Sequence, residues 1–149
     1  EISKSLGGAC HAMYETPTGL APEIAYFNMA EGSEADLTIK PLDAHCLLRP
    51  EAIEAWFYLY RATGDKKYQE WGWSAFEAIE KYAKIESGGY SSVNNVKITK
   101  VSYRDLMESF FLAETLKYLY LLLADDQNIL PLDTWVFNTE GHPLPIRDH

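Results

Sequence analysis

Between Asp65 and Ile85 the apolar side chains fall at Tyr68, Trp71, Ala75, Phe76, Ile79, Tyr82 and Ala83. Steps of three and four bring these positions to one side of a 3.6-residue repeat, which predicts an amphipathic helix with one buried face. Gly64 supplies the turn before it, and Asp65 offers the side-chain oxygen of an N-cap. Two other stretches are apolar almost all round. Glu51 is followed by Ala-Ile-Glu-Ala-Trp-Phe-Tyr-Leu-Tyr up to Arg61, and between Asp105 and Ala124 the only charges are Glu108, Glu114 and Lys117. A helix without a polar face must be covered on most sides. Two kinds of helix therefore predict two layers, with inner helices wrapped by outer ones. Carboxylates on enclosed helices then need a reason to be there, because burying an uncompensated charge is costly.

The remaining segments are shorter. Glu1 to Tyr14 is weakly helical, Pro17 to Ala30 irregular or extended, and Glu31 to Leu48 polar and loop-like. The run Gly88-Gly89-Tyr90-Ser91-Ser92-Val93 reads as a turn feeding a short strand. Leu132 to Ile146 has β-branched and aromatic residues on both sides of a polar tip, Asn138 to Gly141, and predicts a hairpin. Pro22-Glu23 and Pro50-Glu51 both follow an apolar residue. Proline suits the start of a helix and glutamate its positive end, so ordinary helix initiation accounts for each pair, although Pro22-Glu23 lies within the stretch read as irregular or extended. No low-complexity linker interrupts the chain, so 1–149 is expected to be one piece of a domain without an internal boundary.

Composition narrows the function. A net charge of −9 speaks against nucleic acid and anionic membrane surfaces, which require clustered Lys and Arg. The most apolar run, Phe110 to Leu123, is broken by Glu114 and Lys117 and is not expected to span a bilayer. Ten Tyr and four Trp exceed what a minimal core requires and suit a sugar site, where flat rings pack against pyranose faces; an aromatic-rich core accounts for them equally well. Cys10 and Cys46 allow one internal disulfide at most, or two free thiols. The chain opens on Glu1 rather than Met and reads as a piece of something longer.

Three clusters have chemical potential. Glu51 and Glu54 lie three apart at the start of a helix, beside Arg49. The helix dipole and the arginine both favour an ionised Glu51, a useful state for activating water. A structural ion pair explains the same residues. Phe110 and Glu114, four apart, combine a ring for stacking with a carboxylate for hydroxyls. The hairpin tip Phe137-Asn138-Thr139-Glu140-Gly141-His142-Pro143 has neither an acidic calcium loop nor a His/Cys zinc spacing, although the Thr139 hydroxyl and carbonyl suit a hard cation.

Together these segments resemble a known family. Gly19-Leu20-Ala21-Pro22-Glu23, Leu47-Leu48-Arg49-Pro50-Glu51, Trp71-Gly72-Trp73, Ser87-Gly88-Gly89-Tyr90, the helical stretch Met107-Glu108-Ser109-Phe110 through Glu114 to Tyr118, and Phe137-Asn138-Thr139-Glu140 are similar to glycoside hydrolase family 47, the class I α-1,2-mannosidases. Met107-Glu108-Ser109 is closer to the endoplasmic reticulum type than to the Golgi type. Gly141 departs from the alanine usual at its position, and a small effect is expected of it.

The resemblance implies an all-α fold: the C-terminal part of an (α/α)7 barrel of inner and outer helices, with a C-terminal β-hairpin plugging the barrel. It implies hydrolysis of terminal α-1,2-linked mannose from high-mannose N-glycans with inversion, dependent on calcium, in the lumen of the secretory pathway and foremost the endoplasmic reticulum. Glu51 matches a catalytic carboxylate assigned as the base, Thr139 the calcium ligand, and Phe110 the ring beneath the terminal mannose. Arg49, Glu54, Glu114, Glu23 and Glu140 match the polar lining around substrate and metal-bound waters. Cys10 matches a half-cystine whose partner lies upstream, which leaves Cys46 free. The catalytic acid belongs to the remaining N-terminal part of such an enzyme, so this chain alone is expected to be inactive and any membrane anchor to lie outside it. A competing implication is a lectin-like member that binds mannose glycans without cleaving them, in glycoprotein degradation. A helical scaffold without a sugar site is disfavoured by the enclosed carboxylates.

Overall fold

A computed structural model describes residues 1–33 and 35–147. They pack as two compact units, each assembled from two stretches of chain: Glu1–Leu48 with Ser74–Glu108, and Arg49–Trp73 with Ser109 onward.

The first unit holds α1 (Ile2–Ala12), a small antiparallel pair of β1 (Tyr26–Phe27) and β2 (Leu37–Thr38), and the second half of α3 (Lys67–Tyr82). Its core gathers Leu20, Ala44, Cys46, Ala75, Ile79, Ala83, Val93 and Val96, all buried. Val93 and Cys46 exchange both backbone hydrogen bonds at 3.0 Å. The buried Thr18 hydroxyl donates to the Val96 carbonyl at 2.8 Å. Gly19 has φ +73° and an added Cβ would stand 3.1 Å from the Ala78 Cβ, so the chain passes α3 where a side chain would crowd it.

Pro17 to Ala30 is irregular or extended as expected, and two helix signals fail in this unit. Pro22-Glu23 does not start a helix. The Glu23 N–H instead donates to the His45 carbonyl at 2.7 Å, and the segment runs extended into β1, so long-range pairing overrides a local start signal. The stretch Asp105 to Glu108 is not helical either: Asp105 is left-handed with φ +53°, and the Leu106 carbonyl accepts from the Ser92 N–H at 2.8 Å. The strand-like contacts expected after Gly88-Gly89 are present as isolated bridges at Tyr90 and Val93. Glu31 to Leu48, read as loop, contributes β2 and a short 3₁₀ turn over Pro41–Asp43.

The second unit holds α2 (Glu51–Thr63), the first half of α3, α4 (Lys117–Leu123) and the hairpin of β3 (Trp135–Phe137) and β4 (Pro143–Pro145). Pro50 is the N-cap of α2, and Gly64, left-handed at φ +69°, closes it with its N–H on the Tyr60 carbonyl at 2.8 Å. Asp65 caps as expected, its Oδ1 accepting from the Lys67 N–H at 3.1 Å. In α3 the buried Tyr68, Gly72, Ala75, Ala78 and Ile79 alternate with the exposed Glu70, Trp73 and Glu77 at helical spacing, which is the one-faced pattern predicted. An added Cβ on Gly72 would lie 2.5 Å from Leu122 Cδ2, so a larger residue there would have to displace the Leu122 side chain where α3 meets α4. The helix leading into α4 runs in a wide π-helical conformation over Phe111–Leu116. Pi turns of this kind are uncommon and concentrate at functional positions.

Candidate active site

Glu51 and Glu54 occupy the first turn of α2. Proline at the cap and a first turn of good helix formers fix this helix start, where the unpaired N–H groups favour negative charge. Arg49, just before the cap, sets its guanidinium carbon 5.5 Å from the Phe110 ring centroid, at the head of the π turn. Cation and ring attract at that distance, and the contact joins the α2 start to the segment bearing Glu114.

Glu114 lies within the π turn and is partly buried. Desolvation first, then the negative charges of Glu54, Glu51 and Glu140, raise its pKa above the ordinary carboxylate value, and Lys117 opposes them. Four carboxylates therefore share one electrostatic neighbourhood. The Lys117 ammonium is engaged by the Gly141 carbonyl at 2.7 Å.

The hairpin tip meets the same neighbourhood. β3 and β4 pair antiparallel, Trp135 with Pro145, Val136 with Leu144 and Phe137 with Pro143. Phe137 packs inward against Phe57, Tyr58 and Tyr118, with ring centroids 5.8, 6.5 and 5.7 Å away. Beyond it, Asn138 Oδ1 accepts from the Glu140 and His142 N–H groups at 3.0 and 2.9 Å, which shapes the turn. Gly141 then folds back beneath the helix, its hypothetical Cβ 3.2 Å from Glu114 Cγ and 3.4 Å from Tyr118 Cε2.

Thr139 stands at this tip, exposed, and among the described residues neither its hydroxyl nor its carbonyl takes part in a hydrogen bond. Two unengaged oxygen donors next to Glu140 and the carboxylate cluster form a donor set that suits a hard cation such as calcium. Among the described residues no three His, Cys, Asp or Glu side chains come together as a metal-binding group. A cation here would be held by the Thr139 oxygens, with carboxylates acting through water.

Residues 1–146 match the sequence model of Glycosyl hydrolase family 47. The chain belongs to glycosyl hydrolase family 47. It is 54% identical over 149 residues to the endoplasmic reticulum mannosyl-oligosaccharide 1,2-alpha-mannosidase of Rattus norvegicus, covering 98% of this chain and 23% of that protein. Identity to mannosyl-oligosaccharide 1,2-alpha-mannosidase IB of Homo sapiens is 45% over 147 residues, 98% of this chain and 22% of that protein. The greater likeness to the endoplasmic reticulum type agrees with the motif comparison. An α-1,2-mannosidase from Trichoderma reesei superposes with a TM-score of 0.84 at 33% identity, over 95% of this chain and 33% of that one. With the mostly helical chain and its C-terminal strand pair, that likeness shows the expected fold class, part of an (α/α)7 barrel. The chain thus spans under a quarter of these two curated relatives and a third of the solved one.

For a family 47 chain, the second unit brings together seven of the eight residues singled out from sequence: Arg49, Glu51, Glu54, Phe110, Glu114, Thr139 and Glu140. Glu23 belongs to the first unit. Two residues escaped notice as site components. Tyr118 donates its hydroxyl to Glu54 Oε1 at 3.1 Å, and Lys117 holds the hairpin tip. The signal for Tyr118 was present, because it follows Glu114 by four as Glu114 follows Phe110. The π turn left no such signal.

Proposed function

We propose that the complete protein trims terminal α-1,2-linked mannose from high-mannose N-glycans, as an inverting, calcium-dependent glycosidase of the endoplasmic reticulum lumen. The observation that carries this reading is the cluster of Glu51, Glu54, Glu114 and Glu140 with the Arg49–Phe110 pair in one compact unit of a family 47 chain. The relatives' names support the substrate class and the compartment. Inverting enzymes hold their two catalytic carboxyl groups roughly 6.5–9.5 Å apart to admit a water. Glu51 takes that water's proton from its exposed position at the helix start, and the acid comes from the part of the protein beyond this chain. Phe110 offers its ring to the apolar face of the sugar, while Arg49, Glu54, Glu114 and Glu140 bind hydroxyls. Thr139, at the tip of the hairpin plug, would hold a calcium ion, which when bound would supply positive charge toward sugar hydroxyls. Cys10 pairs with a cysteine outside this chain. Among the described residues no helix is long and apolar enough to cross a membrane.

The test compares Glu51→Gln and Thr139→Ala in the complete enzyme for turnover, glycan affinity, calcium content and melting temperature. Glu51→Gln keeps the fold and the glycan affinity and loses on the order of 10²–10⁴ in turnover, the usual cost of a general base. Thr139→Ala loses calcium and glycan affinity together. Near-normal turnover in a folded Gln variant removes Glu51 from the mechanism, and a wild-type protein that binds mannose glycans without cleaving them makes this a lectin-like member.

A further inference from the structure

We propose that Tyr118 is a positioning residue of the sugar site: its hydroxyl fixes the Glu54 carboxylate and ties it to the seat of the Thr139 hairpin. The proposal rests on the reading that Glu54 receives substrate hydroxyls. Tyr118 is completely buried, and its ring is packed by Phe57, Tyr58 and Phe137. A phenylalanine would fill that space equally well, so packing does not explain the hydroxyl. It donates to Glu54 Oε1 at 3.1 Å, across 64 residues of chain, and the Tyr58 hydroxyl is also within hydrogen-bonding reach. Burial and the nearby Glu54 carboxylate raise the phenol far above its ordinary pKa, so it remains a donor at neutral pH.

The geometry gives this bond a use. A glutamate side chain has three rotatable bonds, and ordering them when ligand binds costs free energy that a pre-set carboxylate avoids. With Oε1 held by Tyr118, Oε2 accepts no hydrogen bond among the described residues and is left for a ligand hydroxyl. The same phenol ring supports Phe137 and lies against Gly141 of the hairpin tip. One residue therefore sets a carboxylate of the lining and the seat of the strand that leads to Thr139.

The deciding experiment uses the complete enzyme as wild type, Tyr118→Phe, Glu54→Ala and the double variant. Manno-oligosaccharide affinity is measured by calorimetry with calcium present, alongside kcat, KM and melting temperature. Tyr118→Phe keeps the ring and is expected to bind the oligosaccharide about tenfold more weakly, the worth of a hydrogen bond to a charged group, with KM rising in step. Its kcat stays within about threefold of wild type. In the Glu54→Ala background the same change weakens binding less than about twofold, because there is no carboxylate left to position. Wild-type affinity in Tyr118→Phe, or an equal loss with and without Glu54, overturns the positioning role. So does a loss seen only in melting temperature. A wild-type enzyme that neither binds nor cleaves mannose glycans overturns the functional reading itself, which the wild-type measurement alone reveals.

Discussion

Gly141 lies buried beneath Glu114 and Tyr118 with φ +66°. A side chain here must adopt a left-handed backbone and push Glu114 aside by a few tenths of an ångström, so Gly141→Ala is expected to cost about 1–2 kcal/mol in urea unfolding. From the sequence this glycine read only as a departure from a family alanine, because neither its backbone angle nor the closeness of Glu114 shows in a string of letters. Glu114 gives a second test. Well below the ordinary carboxylate range it is protonated in both folded and unfolded chains and contributes nothing to pH dependence. As pH rises past that range, the unfolded chain releases its proton first, while the folded chain retains it because burial and Glu54, Glu51 and Glu140 raise the pKa. The unfolded state then binds fewer protons, so stability falls as pH rises through the raised pKa. Melting curves of metal-free protein against pH are expected to show this decline in the wild type and to lose it in Glu114→Gln.

At the scale of elements, regular periodicity was legible and conformational exceptions were not. α2 and α3 follow from the spacing of Trp56, Phe57, Tyr68, Ala75 and Ile79, and the hairpin from apolar residues flanking Asn138 to Gly141. Pro22-Glu23 misled because the neighbouring chain at His45 captures the Glu23 N–H before a helix can. The wide turn over Phe111–Leu116 was invisible because its residues, Phe-Leu-Ala-Glu-Thr-Leu, are ordinary helix formers. Of the site, the acidic positions stood out, since charge on an otherwise apolar helix asks for an explanation. The phenol holding Glu54 did not, because a tyrosine among aromatics resembles core. The hairpin depends on one anchor: the Phe137 ring against Phe57, Tyr58 and Tyr118. Phe137→Ala is expected to cost about 3–5 kcal/mol, as large-to-small changes in an aromatic core do. Amide exchange should show the Asn138 and His142 N–H groups losing protection first, before those of α2.

Across the whole molecule, apolar side chains on the surface are numerous. Ile2 is 79% exposed, Met29 92%, Leu42 90% and Tyr120 62%. Such surface makes self-association of the isolated chain the expected result in gel filtration. The thiols supply an independent check. Among the described residues neither Cys10 nor Cys46 is in a disulfide, the first is half-buried and the second buried, and burial raises the Cys10 pKa. Non-reducing peptide mapping of the isolated chain is expected to recover no Cys10–Cys46 peptide, and alkylation to reach Cys10 before Cys46. The bond between Tyr118 and Glu54, 64 residues apart, carries a consequence in time. Local helices order in microseconds, whereas a contact across so long a loop must wait for the ends to meet and the rings between them to pack. In refolding, far-ultraviolet helical signal should therefore return well before the near-ultraviolet signal of the packed Tyr118 ring, leaving a brief interval in which the chain is helical but its distant halves have not yet met.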